Sequence, residues 1–331
     1  MCRSITIIFF LLFLVARTPC AAFSDPPVKY LGVDQGLSNN GVISIFQDHN
    51  GFMWFGTFDG LNRYDGYSFR VFRNVPGDST SLRSNYIRVI TEDADHHLWI
   101  GTAEGLNRYN PVNASFSRAT FRSGNNAFLK PLESSVSAIQ KNDKDGCMLV
   151  GAHNTGLLIF EKNSRLGVQI PFLAWKEHES NYDVTAMTID ANRQLAWVFI
   201  REAGLCLYNI KTKSLQLING TIKKAGCLIL DGNGNLWLGN ENGLFRFDTG
   251  NNVFSNNVLP FKGRVMNLFE DRQQVLWISC DGNGVWSMPV GENKPAAYLS
   301  ASGGSLINGN SIFNIYDDLQ GNKWIATKYG G

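Results

Sequence analysis

The sequence lacks the features that define several large classes of protein. Its 331 residues carry a formal net charge of +2, with no basic run or basic face of the kind that binds nucleic acid. It also lacks a helical 3.6-residue periodicity and any low-complexity tract. These absences argue against a nucleic-acid partner, a helical repeat protein and a disordered linker.

Catalytic and metal-binding signatures are equally scarce. No GxSxG, HExxH or P-loop sequence occurs, and neither do a kinase histidine box and the nucleotide-binding glycines that would accompany it. Of the five histidines, four fall in or beside predicted turns and one in a loop, where solvated side chains are the usual outcome. No catalytic residue, cofactor or metal site is therefore predicted, and whether the chain is an enzyme stays open.

Cysteines are few and widely scattered. Of the six, four follow the N-terminal segment, and they show no CxxC spacing. Each lies inside an apolar run typical of a strand, which favours core positions, although export would permit a disulfide. These four are Cys147, Cys206, Cys227 and Cys280.

A short apolar run opens the chain. Arg3 is followed by uncharged residues from Ile5 to Ala16 and by small residues up to Ala22, the pattern of a secretory signal peptide. The run is too short to span a bilayer, so cleavage after Ala22 is favoured over an uncleaved anchor. Removal of residues 1–22 takes away Arg3 and Arg17 and no acidic residue, which lowers the formal charge from +2 to 0. An exported, periplasmic protein with no other membrane contact is expected.

A repeat of 40 to 50 residues runs through the rest of the chain. One of its positions is tryptophan in every unit except the third, where Leu149 stands, and the residue six places earlier is aspartate in every unit except the fourth, where Ala191 stands. Self-similarity at such a period indicates a repeat architecture. The tryptophans are Trp54, Trp99, Trp197, Trp237, Trp277 and Trp324; the aspartates are Asp48, Asp93, Asp143, Asp231, Asp271 and Asp318.

Each unit has the pattern of four short antiparallel strands separated by turns, which is typical of a propeller blade. The sequence predicts an all-β, seven-bladed β-propeller over residues 23–331. The last blade is expected to be incomplete, with residues 28–31 supplying its outer strand by closure or by pairing inward with 323–327. The predicted blades are 42–72, 87–121, 136–173, 184–218, 226–256, 265–300 and 312–331.

Because a catalytic residue is needed once and these tryptophans and aspartates recur, they are interpreted as packing and turn residues. The repeated segments also resemble a known family. "DHNGFMWFGTFDGLNRYDG", "DHHLWIGTAEGLNRYN" and "DGNGNLWLGNENGLFRFD" are similar to the two-component regulator propeller repeat of the periplasmic sensor region of hybrid histidine kinases, chiefly from Bacteroidetes.

The resemblance implies a sensor domain that binds oligosaccharides, with the downstream sensor and kinase domains as missing partners and a homodimer as an option. Those further domains are not in this sequence, so the chain resembles a truncated sensor. A sialidase-like propeller glycosidase and a non-binding interaction or dimerisation scaffold stay open as alternatives.

The longest interruption of the repeat, residues 161–184, is the candidate ligand-binding segment. Its aromatic and polar residues could together form a stacking face with polar neighbours, as in sugar sites. An outer strand followed by a solvated loop is the alternative. The candidate residues are Trp175, Glu177, His178, Asn181 and Tyr182.

Overall fold

The structure is a computed structural model that describes residues 28–123, 128–174, 181–299 and 309–330. Within these ranges the chain is all-β: it contains 28 strands, and its single helical element is the short 3-10 helix Val33–Gln35. No helix in the described ranges is long and apolar enough to cross a membrane. The signal peptide predicted at residues 1–22 lies outside them.

Six blades each contain four antiparallel strands that pair in chain order. Tight turns join these strands into hairpins, and the second strands of blades 1, 2, 3 and 5 are buried along their whole length. Blade 1 comprises β1 (Val42–Gln47), β2 (Met53–Thr57), β3 (Gly60–Tyr64) and β4 (Phe69–Phe72); blade 2 comprises β5 (Ile87–Glu92), β6 (Leu98–Thr102), β7 (Gly105–Asn110) and β8 (Ser115–Arg118).

Blade 3 is extended beyond four strands by the segment that leads into it. Its outer strand pairs in parallel with β9 (Thr120–Ser123), which in turn pairs with β10 (Lys130–Pro131). The blade itself comprises β11 (Val136–Lys141), β12 (Met148–Ala152), β13 (Gly156–Phe160) and β14 (Leu166–Gln169).

Blades 4 to 6 follow the same plan. Blade 4 comprises β15 (Val184–Asp190), β16 (Leu195–Ile200), β17 (Gly204–Asn209) and β18 (Ser214–Asn219). Blade 5 comprises β19 (Cys227–Leu230), β20 (Leu236–Asn240), β21 (Gly243–Asp248) and β22 (Val253–Phe254). Blade 6 comprises β23 (Val265–Glu270), β24 (Val275–Cys280), β25 (Gly284–Pro289) and β26 (Ala296–Leu299).

The prediction of a seven-bladed propeller with an incomplete last blade is wrong in number: the described residues form six four-stranded blades. The seventh sheet has two strands, β27 (Ile312–Asp317) and β28 (Lys323–Thr327). β27 packs against β23 on one side and β1 on the other, so the first strands of all seven sheets follow one another around a ring. The ring is closed by side chains, since the Leu319 amide donates to Gln47 Oε1 at 2.6 Å.

The predicted closing strand at residues 28–31 is not formed. These residues have no strand assignment and pair neither outside the seventh sheet nor inward with β28. Instead, Leu31 packs on the cluster that joins blade 1 to the seventh sheet, and Lys29 Nζ donates to the Tyr64 hydroxyl at 3.0 Å. An outer strand at residues 28–31 would have to pair with a third strand that follows β28. The described residues contain no such strand, so residues 28–31 have no neighbouring strand in the expected position.

The predicted tryptophans lie on second strands and fill the space between neighbouring blades. Trp54 packs with Tyr109 of blade 2, and its ring is 1% exposed. Trp324 meets Phe55 of blade 1 at a ring separation of 5.3 Å, which seals the ring between its last and first sheets. Trp324 and Trp197 are only partly buried.

Five of the tryptophans each make the same type of hydrogen bond. Each indole Nε1–H donates to the aspartate six residues earlier, whose other carboxylate oxygen accepts two backbone amides of its turn. The bond fixes both the indole and the turn with charge-assisted donors. Its Nε1 to Oδ2 distances are 2.7 Å for Trp54 and Asp48, 2.8 Å for Trp99 and Asp93, 2.8 Å for Trp237 and Asp231, 2.6 Å for Trp277 and Asp271, and 2.9 Å for Trp324 and Asp318.

Asp143 does not belong to this set, contrary to its place in the sequence repeat. Its side chain is 76% exposed and pairs with Lys141. The equivalent residue is Asn142, which is fully buried. Its backbone N–H donates to Cys147 O, five residues later, because the turn of blade 3 is one residue longer than the others. Asn142 exchanges side-chain hydrogen bonds with Gln194 of blade 4, the blade that lacks the aspartate.

Glycines of the second strands allow the blades to approach closely. A Cβ built on Gly56 would lie 2.6 Å from Cγ2 of Ile87, the first residue of β5. Such a distance is too short for a real contact, so a side chain here would push blades 1 and 2 apart. The same contact recurs at Gly101, Gly151 and Gly239.

The four cysteines are free. Burial raises the pKa of each thiol to about 12, so all four are neutral at physiological pH.

Candidate functional site

The two faces of the propeller are built differently. The aspartate face carries the turns between first and second strands, with the repeated aspartates. The opposite face, at which first strands begin and second strands end, carries a β-bulge in six of the seven sheets. We call it the bulge face.

Each bulge inserts one extra residue directly after the buried β-branched residue that starts the first strand. A bulge leaves this residue outside the ladder and redirects its side chain, and bulges concentrate near binding sites. The flanking residue is always Val or Ile, whereas the inserted residues differ in chemistry from blade to blade. They are Ile43, Arg88, Ser137, Thr185, Met266 and Phe313.

An aromatic group covers the bulge face around the seventh sheet and blades 1 and 2. Phe58 meets Tyr86 at a ring separation of 5.1 Å and the inserted Phe313 at 6.1 Å. Phe58 and Tyr86 are 38% and 36% exposed, so their rings are partly accessible to solvent. Gly41 packs directly against the Phe58 ring, and a Cβ at this position would overlap the ring.

A polar cleft opens on the same face across blades 4, 5 and 6. It has a volume of about 250 Å³ and is lined by Arg201, Lys224, Glu241, Arg264 and the inserted Thr185, among others. Three cations face one acid, so the cleft favours an anionic ligand. Arginine can also bind a carboxylate or sulfate through two parallel hydrogen bonds.

Backbone bonds hold the cleft residues at the rim. The Arg201 amide donates to Asp183 O, and the Asp281 amide donates to Arg264 O, both at 2.9 Å. These bonds fix the backbone at the end of each second strand and leave the arginine side chains exposed.

The Thr185 hydroxyl lacks a hydrogen-bond partner among the described residues, although its oxygen is buried. A buried hydroxyl without a partner costs about 1–3 kcal/mol relative to a satisfied one. Since Thr185 also lines the cleft, rotation about its χ1 angle would turn the hydroxyl toward a ligand hydroxyl or carboxylate that could supply the missing bond.

A smaller group, His153, Asp183 and Arg201, borders the cleft. His153 Nδ1 lies 3.2 Å from Asp183 Oδ2, and Arg201 Nε lies 3.7 Å from the same oxygen. Burial lowers the pKa of His153, partly offset by Asp183, so the imidazole is mostly neutral at pH 7. Asp183 also accepts the Asn154 amide at 2.8 Å, so it holds both the turn and the two basic side chains at the border of the cleft.

The sequence-predicted ligand segment is only partly described. Trp175, Glu177 and His178 lie outside the described residues. Asn181 is exposed, but Tyr182 is a core residue that is 2% exposed, and its hydroxyl donates to Ile170 O at 2.6 Å. Burial raises the pKa of Tyr182, and its ring offers no stacking surface to a ligand.

Sequence reasoning missed the cleft and the aromatic group because their residues fall between repeat landmarks. A usable signal was nevertheless present. In six units a Val or Ile is followed by a residue that changes chemically from unit to unit, such as "VTA", "VMN" and "IFN". A variable position next to an invariant one within a repeat marks a side chain that the fold does not require.

Comparisons with known proteins agree with this fold. Residues 36–59 and 81–104 match the family model described as "Two component regulator propeller". A histidine kinase of Formosa agariphila is 55% identical over 47 residues, which is 14% of this chain and 3% of that protein. The chain therefore contains two component regulator propeller repeats.

Solved structures of two extracellular domains also resemble the chain. The extracellular domain of BT3049 of B. thetaiotaomicron, which carries the name of a hybrid two component system, has a TM-score of 0.77 and 25% identity. The extracellular domain of BT4673 of the same organism, named as a one component system, has a TM-score of 0.69 and 20% identity. The chain covers 41% and 42% of these two domains, and 92% and 90% of its own length is aligned.

Proposed function

Because the propeller carries two component regulator repeats, we propose that it is a periplasmic ligand-sensing domain that binds an oligosaccharide at the bulge face. The cleft lined by Arg201, Lys224 and Arg264 is the observation that carries the proposal. The likeness to extracellular domains of two-component systems supports the sensing role. Signal transmission then belongs to kinase domains whose activity responds to ligand binding by the propeller.

The ligand is an oligosaccharide with anionic groups, either uronate carboxylates or sulfate esters. Three cations without an equal number of acids would repel a purely cationic ligand and bind an anionic one. Sugar rings also have apolar faces that stack on aromatic side chains, and Phe58 and Tyr86 provide such rings on the same face.

Export to the periplasm is part of the proposal, with residues 1–22 as the cleaved signal peptide. N-terminal sequencing of the exported protein tests this part directly. A mature chain that begins at Phe23 supports cleavage after Ala22, and an uncleaved N-terminus contradicts it.

Calorimetry of the purified chain tests ligand binding with three tetrasaccharide probes: an oligogalacturonate, a sulfated chondroitin fragment and neutral cellotetraose. We expect an anionic probe to bind and cellotetraose to bind at least tenfold more weakly. Arg264→Met, which removes the charge and keeps the apolar stem, should weaken the binding of that probe by tenfold or more. Arg193→Met is the matched control, because Arg193 is exposed on the aspartate face.

The outcomes separate the alternatives. Release of monosaccharide from a probe would favour the sialidase-like glycosidase, and binding of no probe would favour an interaction scaffold. Equal losses in Arg264→Met and Arg193→Met would assign the binding to overall charge rather than to the cleft.

A further inference from the structure

A cluster on the aspartate face has a composition that the fold does not require. His49 of the first turn in blade 1, Glu92 at the end of β5 and His96 of the first turn in blade 2 come together across the interface of the two blades. One potential ligand atom from each lies within 4.8 Å of those of the other two. The cluster lies on the aspartate face, whereas the cleft lies on the bulge face.

The distances within the cluster are close to those of a metal site. His49 Nδ1 lies 2.6 Å from Glu92 Oε1, and His96 Nδ1 lies 3.8 Å from Glu92 Oε2. Zinc bonds of about 2.0–2.1 Å in tetrahedral geometry place neighbouring donor atoms about 3.3 Å apart. The two measured distances lie on either side of this value and the three ligand atoms lie within 4.8 Å of one another, so rotation of the side chains could bring them onto one ion.

The two imidazoles are in direct contact across the interface of the two blades. Their rings are stacked with centroids 3.7 Å apart and planes inclined at 26°. Each ring places its Nδ1 beside Glu92, and rotation of the exposed rings out of the stack would point both nitrogens at one ion.

The glutamate has a structural role that the histidines do not share. Glu92 accepts the His49 backbone amide at 3.2 Å, and in blades 5 and 6 Glu270 accepts the Gly232 amide at 2.7 Å in the same way. The hydrogen bond between Glu270 and the Gly232 amide forms where no histidine is present. This inter-blade hydrogen bond therefore accounts for a glutamate at position 92, but it does not require a histidine at position 49 or 96.

We propose that His49, Glu92 and His96 form a binding site for a divalent transition-metal cation such as Zn²⁺, which crosslinks blade 1 to blade 2. Two imidazole nitrogens and one carboxylate are a ligand set that zinc accepts, with remaining positions filled by water. Because two of the side chains are exposed, the ion can reach the site without any opening of the fold. Binding selectively to the folded chain would raise its melting temperature.

Calorimetry with ZnCl₂ in chelator-treated buffer, together with the absorption spectrum after addition of CoCl₂, tests this proposal. We expect one Zn²⁺ per chain and visible Co²⁺ bands typical of nitrogen and oxygen ligands. His96→Asn should weaken Zn²⁺ binding at least tenfold and remove the bands. Asparagine suits this position because the φ of His96 is 64°, in the left-handed region.

Two further variants keep the test independent of folding. Glu92→Gln retains an oxygen that can accept the His49 amide but loses the charge, so it should also lose Zn²⁺ affinity. Glu270→Gln makes the same change at the inter-blade hydrogen bond without histidines and should bind Zn²⁺ like the parent chain. The proposal is overturned if the parent chain binds no Zn²⁺, or if all three variants bind it equally well.

Discussion

The aspartate face and the bulge face are made by the same seven sheets, yet one is uniform and the other is varied. On the aspartate face the same indole-to-carboxylate bond recurs in five sheets. On the bulge face the inserted residues range from Ile43 to Arg88 and Thr185. A repeated residue meets the same structural need in every blade, whereas a position that varies between blades is free to differ in chemistry, which supports the proposal of oligosaccharide binding at the bulge face.

Truncation of one repeated tryptophan and of one aromatic residue on the bulge face tests the difference between repeated positions and variable ones. Trp237→Ala should lower the free energy of unfolding by about 3–5 kcal/mol, because it empties a buried space between blades 5 and 6 and leaves Asp231 without its donor. Phe58→Ala on the bulge face should cost about 1 kcal/mol, since the ring is 38% exposed. Urea unfolding measures both, and similar costs would contradict the distinction between the faces.

A second test compares two aspartates from the same sequence repeat. Asp271→Ala should cost about 2–3 kcal/mol, because the Trp277 indole and Lys323 lose a charged partner. Asp143→Ala should change the free energy of unfolding by less than about 0.5 kcal/mol, because its side chain is exposed. Thermal and urea unfolding of both variants would show whether the repeat in sequence or the contact in space determines the cost.

The aspartate pair shows how far the sequence could predict this molecule. The repeat period, the all-β class and the place of the tryptophans follow from spacing, because each unit must solve the same packing problem. Asp143 could not be placed, since an insertion of one residue in the turn of blade 3 shifts the register, and spacing alone does not reveal which side chain is then buried. The cleft was missed for a related reason: it forms from residues of three blades whose proximity depends on the ring.

Acid sharpens the comparison, because all the buried carboxylates among the described residues lie on the aspartate face. Burial opposes ionisation of Asp93, but hydrogen bonds from Trp99 and the His97 amide, together with Arg108, hold the pKa of Asp93 below its ordinary value. The pKa values of Asp271 and Asp318 are also lowered, in each case against burial, by their tryptophans and turn amides. A carboxyl with a lower pKa in the folded state stabilises the fold above its unfolded pKa of about 3.9, and this contribution is lost as the pH falls through the folded pKa.

The free energy of unfolding should therefore fall steeply below about pH 4. Asp93→Asn should be less stable than the parent chain at pH 7, and this difference should narrow at pH 3, where the carboxyl of the parent is largely protonated in the unfolded state. Urea unfolding at both pH values checks the prediction. A difference that stays constant between pH 7 and pH 3 would mean that the charge of Asp93 does not stabilise the fold.

The smallest expected effect has the opposite sign and lies on the bulge face. The Thr185 hydroxyl is buried without a partner among the described residues, so Thr185→Val replaces an unsatisfied group with a methyl of similar size and should stabilise the fold by up to about 1 kcal/mol. Thr188 is the matched control on the same strand, because its hydroxyl accepts the Leu230 amide and Thr188→Val should destabilise the fold. If the orphaned hydroxyl is kept for a ligand, Thr185→Val should also weaken anionic oligosaccharide binding while it raises the melting temperature. A variant that gains stability and binds as tightly as the parent would remove Thr185 from the site, and one that loses stability would show that its hydroxyl already has a structural partner.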